Sequence, residues 1–383
     1  MNNQKWLSLN FFAFFFTWGV FLPYWTGWLT NEKELSVSAA SIIMGAGMIA
    51  RSMSTLLFFP LLTRLFSLGR LMQILAIASV IIMAFYIPAN SYTLLFVITF
   101  AFSFVYPNLL PAMESSATVL MQSERIHYGK SRSFGSLGYT IALLIVGTVT
   151  AIWQETAILW VMMAGLLFMA ITQSAASPAP LQIKPELKNN PSKGAVKQLL
   201  KSKGFLTVLL VSILLQGAHA AYYNYGFIYL QDIGVNSFYI GIILNVAIIL
   251  EIVFFAKADS LFDKWPVSSM FLLAGIGSTL RWILIFLFPS VWVFILSQML
   301  HALSFGVAHF AFIRYIIQKV DPVNIPAAQG MYAAVAMSLS VALLTFVGGF
   351  LYEISPGLSF LGMVSFSGPA IILVLLTRKK LSY

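Results

Sequence analysis

The chain reads as an all-α membrane protein of about twelve transmembrane helices in two six-helix bundles. Three observations carry that reading. Of its 383 residues, 60% are hydrophobic and only 9% are charged, more apolar surface than a water-soluble fold can hide. Apolar runs of about 20 residues, the length that crosses a bilayer, recur along the whole chain. The longest polar stretch, Ser177 to Lys203, falls at the middle.

The expected spans are 5–30, 38–63, 69–88, 91–116, 131–153 and 156–176, then 203–230, 235–257, 267–288, 290–317, 325–352 and 356–377. The first run, Trp6 to Trp28, is too long for a signal-peptide core and lacks a small-residue cleavage site, so it is a retained helix. Breaks such as Pro88-Ala89-Asn90 and Pro289-Ser290 are hairpins between antiparallel neighbours. The chain has no cysteine, which excludes disulfides and thiolate chemistry.

Lys and Arg collect on one side. With the N-terminus inside, the cytoplasmic segments hold Arg64, Arg70, Arg125, Lys130 and Arg132, Lys184 to Lys203, Lys257, Lys264, Arg314, Lys319 and Arg378 to Lys380. The opposite side holds Lys33 with Glu32, Glu34, Glu155, Asp232 and Glu353. Both termini are then cytoplasmic. The net charge of +10 is a topology signal, with no nucleic-acid partner expected. The bundles are residues 1–176 and 203–383, joined by a cytoplasmic linker over 177–202. The halves resemble each other weakly. Trp28 to Arg51 can be laid over Tyr229 to Glu251, and Ala101 to Phe104 over Ala302 to Phe305. Parallel repeats of this kind place a substrate site at the midplane.

Four charges, Arg51, Glu114, Glu251 and Arg281, sit inside apolar spans. A charge at bilayer depth is costly and is kept mainly where it has a partner or a task. The segment Tyr128 to Tyr139 opens the fifth span. Its Arg132, Ser136 and Tyr139 share one helix face, offering a bidentate cation, a hydroxyl and an aromatic plate. Gly135 and Gly138 allow close approach by a neighbour. The alternative is a positive-inside arginine beside a packing face. Glu114, after Pro107 and Pro111 at the end of the fourth span, is expected to pair with Arg132 across one hairpin; the alternative is a solvated interfacial acid.

Spans eight to ten hold Glu251, Arg281, His301 and His309. A Glu–Arg–His group can exchange a proton when access or a ligand changes; the alternative is a static buried salt bridge. The two histidines are poorly spaced for a metal, and none is expected. The seventh span offers Gln216, His219, Tyr222 and Tyr223 as pocket candidates. Arg51 either attracts an anion or pairs with an unassigned carboxylate. No Walker loop, dinucleotide fingerprint or nucleophile elbow is present, so neither an enzyme nor a cofactor is expected.

The segments Phe21-Leu22-Pro23-Tyr24-Trp25, Tyr128 to Tyr139, Leu273-Ala274-Gly275 to Arg281, and Leu300-His301 to Arg314-Tyr315-Ile316 resemble the major facilitator superfamily. They are similar to its oligosaccharide:proton symporter branch. Leu215 to Tyr223 resembles the bacterial 3-phenylpropionate transporters specifically. The resemblance implies a major facilitator fold, with Glu114 and Arg132 as a substrate-holding pair. Tyr139 would take the place of a ring-stacking tryptophan, and Arg281 and His301 would be coupling residues. It also shows departures. The coupling carboxylate one turn past that histidine is here Ser304, Glu251 is displaced from the family's acid on the eighth span, and Thr63 stands where an Asp is usual. Proton carriage then falls on Glu251.

The expected function is a proton-coupled importer of a small aromatic carboxylate such as 3-phenylpropionate. Arg132, with Arg51, would hold the carboxylate, and Tyr139, Tyr222 and Tyr223 the ring, beside Glu114, Ser136 and His219. Glu251, Arg281, His301 and His309 would couple the proton. The partners are then the substrate, the proton and the lipid bilayer, for a monomer in the bacterial inner membrane. A sugar or nucleoside symporter, or a non-transporting membrane sensor, are the alternatives.

Overall fold

The computed structural model describes residues 2–123, 126–175, 177–183 and 194–381. Arg125 and residues 184–193 of the expected linker lie outside the described residues. The rest is almost wholly helical, with no strand among the described residues.

Twelve helices match the expected spans to within a few residues: α1 Asn3–Glu32, α2 Val37–Leu65, α3 Leu68–Ala84, α4 Tyr92–Gln122, α5 Tyr128–Trp153 and α6 Thr156–Ser174, then α7 Lys203–Asp232, α8 Ser237–Phe262, α9 Val267–Leu287, α10 Val291–Lys319, α11 Pro322–Ile354 and α12 Pro356–Lys379. Eleven are long and apolar enough to cross a bilayer, and α3 is shorter, at 17 residues. Serine caps start three of them: Ser91, Ser202 and Ser290 accept from the backbone N–H of Leu94, Phe205 and Val293, satisfying donors the helix leaves open. Gly234 turns the α7–α8 hairpin at φ 82°, a conformation that costs other residues a Cβ clash.

Glu114 is not the end of α4. The helix runs on to Gln122 because its polar residues bond inward: Ser116 and Thr118 hydroxyls donate to the carbonyls of Ala112 and Glu114, at 2.8 and 3.0 Å.

Several helices are irregular along their length. α1, α2, α10 and α11 contain π-type turns over Trp28–Glu32, Ser54–Phe58, Ala302–Val307 and Tyr332–Leu339. α4 tightens to a 3₁₀ turn at Tyr106–Asn108, around Pro107, and α7 is interrupted at Ala218 and His219. Such irregularities free backbone groups and recur at functional sites.

The chain forms two compact units: Met1–Leu35, Ala46–Lys188 and Asn236–Ile242, and Ser36–Gly45, Asn189–Val235 and Ile243–Tyr383. In the first, α5 lies so close on α1 that a Cβ on Gly138 would collide with the Phe12 carbonyl oxygen. The first turns of α8 belong to this unit, with Gly241 against the Leu143 carbonyl. In the second, Phe205, Val208, Met270, Phe271, Phe312 and Tyr332 are core residues. The first turns of α2 belong here: Ser41 and Tyr225 hydroxyls are 2.8 Å apart, and Glu353 accepts from the Ser38 N–H at 2.9 Å. Large apolar side chains such as Ile171, Trp292 and Leu376 remain exposed, as lipid-facing surface would require.

Candidate substrate and proton site

The first unit places Arg132 and Glu114 together. Gln4 of α1 brackets the start of α5: its amide nitrogen donates to the His127 carbonyl and its amide oxygen accepts from the His127 N–H, at 3.1 and 2.8 Å. That register sets Arg132 Nε 3.7 Å from Glu114 Oε1, both side chains more than a third exposed. The Tyr128 hydroxyl donates to the other carboxylate oxygen at 2.8 Å. The Arg132 guanidinium lies over the Phe15 ring at 4.1 Å. Arg132 is thus held by an acid and an aromatic face at once. Ser136 and Tyr139 are half-buried on the same flank, while Gly135 and Gly138 are buried.

Arg51 of α2 does not join that pair. Its guanidinium sits 4.8 Å from the Trp18 ring centre. Trp18 stacks on Phe14 and Tyr106, and the Tyr106 hydroxyl meets Thr17 Oγ1 at 2.7 Å.

The second unit gathers its charges in the interior. Arg281 is fully buried in α9. Its Nη1 donates to His301 Nδ1 at 2.8 Å and to Ser304 Oγ at 3.4 Å, and its Nη2 to Gln298 Oε1 at 3.4 Å. The rings of Tyr222 and Trp282 flank it at 4.6 and 4.4 Å. His301 Nε2 then faces Glu251 Oε2 at 3.6 Å, with a quarter of the acid's side chain exposed.

Hydrogen-bond chemistry fixes the tautomers. Arginine can only donate, so His301 Nδ1 carries no proton and its N–H is Nε2, facing Glu251. His219 Nδ1 lies 2.9 Å from the Leu215 carbonyl, which can only accept, so His219 bears its proton there. Its Nε2 accepts from Ser304 Oγ at 3.1 Å. Ser304 therefore receives from Arg281 and donates to His219. Both histidines are neutral in this arrangement. Among the described residues the hydrogen-bond acceptors of Arg281 are neutral, and Glu251 lies on the far side of the His301 ring.

His309 stands apart from Arg281. The Tyr332 hydroxyl accepts from Gln216 Nε2 at 2.8 Å and shares a hydrogen bond with His309 Nδ1 at 3.0 Å. Tyr223 stacks near His219, with ring centres 6.0 Å apart. Gln298, Trp282, Tyr332, Tyr128 and Trp18 are site residues that sequence reasoning missed. The signal available for the first three was a polar or hydrogen-bonding side chain inside an apolar span. Among the described residues no group of three or more His, Asp or Glu is placed to hold a metal ion.

Eleven helices long and apolar enough to cross a bilayer, with charged side chains inside them, define a multi-pass membrane protein, and the proteins it resembles are named transporters or permeases. The family model described as "MFS_1 like family" matches residues 5–361, and the chain belongs to that family. It is 27% identical over 353 residues to a "Probable 3-phenylpropionic acid transporter" of Escherichia coli (strain K12), covering 92% of each chain. It is 26% identical over 380 residues to the "Maltose permease" of Geobacillus stearothermophilus, covering 97% of this chain and 94% of that one. Among solved structures it resembles the nucleoside transporter NupG, with a TM-score of 0.84, 16% identity and full coverage of both chains. At that identity the likeness concerns the fold alone.

Proposed function

We propose that the protein is a proton-coupled symporter that imports a small aromatic carboxylate, such as 3-phenylpropionate, across the bacterial inner membrane. Both termini are cytoplasmic. Bundles 1–176 and 203–383, joined by the 177–202 linker, would alternate access to the substrate. The observation that carries the reading is Arg281, buried and hydrogen-bonded to neutral acceptors, with Glu251 beyond His301.

Charge balance supplies the coupling. A buried charge without compensation is strongly destabilising. With Glu251 ionised, the His301 Nε2–H links it to the arginine. Once Glu251 takes a proton, that balance is lost. A substrate carboxylate restores it by binding Arg281 in place of its neutral partners, with the aromatic ring against Tyr222 and Tyr223. Proton and anion then favour each other's binding, which is the thermodynamic content of symport. Arg132, already held by Glu114, is the weaker carboxylate candidate of the two.

The similarity to a protein named for 3-phenylpropionic acid supports this substrate class. The Glu114–Arg132 pair supports a second reading. It is half-exposed and offers both donors and acceptors, a set suited to the hydroxyls of a sugar or nucleoside. Uptake of labelled 3-phenylpropionate under an inward proton gradient, competed by unlabelled 3-phenylpropionate, galactosides and nucleosides, separates the two. Competition by the aromatic acid alone, abolished by a protonophore, supports the first. Competition by galactosides or nucleosides moves the assignment to the second.

A further inference from the structure

A cleft of about 580 Å³ opens at the basic end of the second unit, lined by Trp265, Ser268, Ser269, Lys319, Arg378 and Lys379 among others. The cations come from two helices, α10 and α12, and none of the lining residues is acidic. Lys319, Arg378 and Lys379 form no ion pair among the described residues. The floor is the first turn of α9. Its cap is Pro266, which has no N–H, and the Pro266 carbonyl takes the N–H groups of Ser269 and Met270, at 3.0 and 3.2 Å. The N–H groups of Val267 and Ser268 have no acceptor within the helix. Three cations and a helix N-terminus therefore converge on one concave surface.

The two cationic helices also carry exposed apolar side chains close to the basic end. Ile317 is 66% exposed on α10, and Ile372 and Leu376 are 58% and 67% exposed on α12. They lie within two turns of the cations on the same helices. Trp265, 43% exposed, adds the amphipathic ring that prefers the headgroup level. A free anion would use the cations but not these apolar side chains.

We infer that this cleft binds the phosphodiester headgroup of an anionic glycerophospholipid. The phosphate sits among Lys319, Arg378 and Lys379. The glycerol hydroxyls bond Ser268, Ser269 and Gln318, and the acyl chains run along Ile317, Ile372 and Leu376. The site does not depend on what the protein carries.

Native mass spectrometry of the purified full-length protein tests it, with dioctanoyl phosphatidylglycerol, dioctanoyl phosphatidylcholine and inorganic phosphate as probes. Phosphatidylglycerol should bind most tightly. The double variant Lys319→Gln/Arg378→Gln should weaken it about thirtyfold, since each basic residue near an anionic headgroup contributes about fivefold. Each single variant should lose about fivefold, which keeps the test decisive if the double variant does not fold. Arg64→Gln/Arg70→Gln, at the basic end of the first unit, should leave it unchanged. An equal loss in that control pair would show general surface attraction and overturn the site. Phosphatidylcholine binding as tightly, or inorganic phosphate displacing the lipid, would overturn the lipid assignment.

Discussion

Each unit contains an acid and an arginine at the heart of its candidate site, and the two arrangements differ in how the pair meets and in how deeply the arginine is buried. In the first, Glu114 and Arg132 face each other at 3.7 Å, both more than a third exposed. In the second, a histidine ring stands between Glu251 and Arg281, and the arginine is fully buried. A direct, solvated pair is replaceable: water and salt compensate each charge when the other is removed. The interposed, buried pair is conditional. Its balance holds only while Glu251 is ionised and His301 keeps its proton on Nε2. A direct, solvated pair loses little when one charge goes, whereas a conditional, buried one suits coupling a proton to a bound carboxylate.

The largest expected effect follows from the buried arginine. Arg281→Gln should lower concentrative uptake at least about a hundredfold, because leaving a buried charge partner uncompensated costs about 3–5 kcal/mol. Arg281→Lys should not rescue it, since an ammonium group cannot serve Gln298, Ser304 and His301 in one plane. Near-normal uptake by the lysine variant would break the proposed geometry.

His301 gives the next effect. His301→Phe removes the ring that stands between Arg281 and Glu251 and should cost about tenfold to a hundredfold in acid-driven uptake, the scale of an unsatisfied buried donor. His301→Gln offers an acceptor to the arginine and a donor to the acid, so it should recover much of that loss. Equal loss in both variants would mean that the ring, not its polar contacts to Arg281 and Glu251, is what matters. The same comparison sharpens by ¹⁵N NMR of labelled histidine: His301 should show an unprotonated Nδ1 and His219 a protonated one.

Effects in the first unit should be smaller. Glu114→Gln should raise KM no more than about fivefold, matching the roughly 1 kcal/mol of an exposed pair. A larger loss, measured in the same uptake assay, would move the substrate contact to this pair and favour the sugar or nucleoside reading. Arg51→Gln should be smaller still: its ring contact with Trp18 is worth about 1 kcal/mol, read as a lowered Tm with uptake retained.

The helices were legible in the sequence because hydropathy alone demands them: in lipid every backbone group must be satisfied within a helix. Boundaries moved where polar residues kept the helix going, as Ser116 and Thr118 do in α4. The interruptions were less legible. Pro107 announces the turn in α4 and Pro60 follows the π-type turn at Ser54–Phe58, yet the turns at Ala302–Val307 and Tyr332–Leu339 contain no proline to announce them. The three π-type turns adjoin Arg51, His301 and Tyr332. For the candidate site, the rarity of intramembrane charge singled out Glu251, Arg281 and His301. It could not show that a histidine stands between acid and arginine, that Ser304 relays a hydrogen bond to His219, or that His309 belongs with Tyr332. Those depend on which helix faces contact each other, and a single sequence does not encode that in its local pattern.

The central claim is that Glu251 carries the coupled proton. The most direct test is proteoliposomes containing Glu251→Gln, assayed with labelled 3-phenylpropionate for exchange and for accumulation under an imposed inward proton gradient. A parallel control with protein-free liposomes subtracts passive entry of the neutral acid. The account predicts that exchange survives while gradient-driven accumulation disappears. Accumulation that still follows the proton gradient in Glu251→Gln would contradict it and place the proton elsewhere.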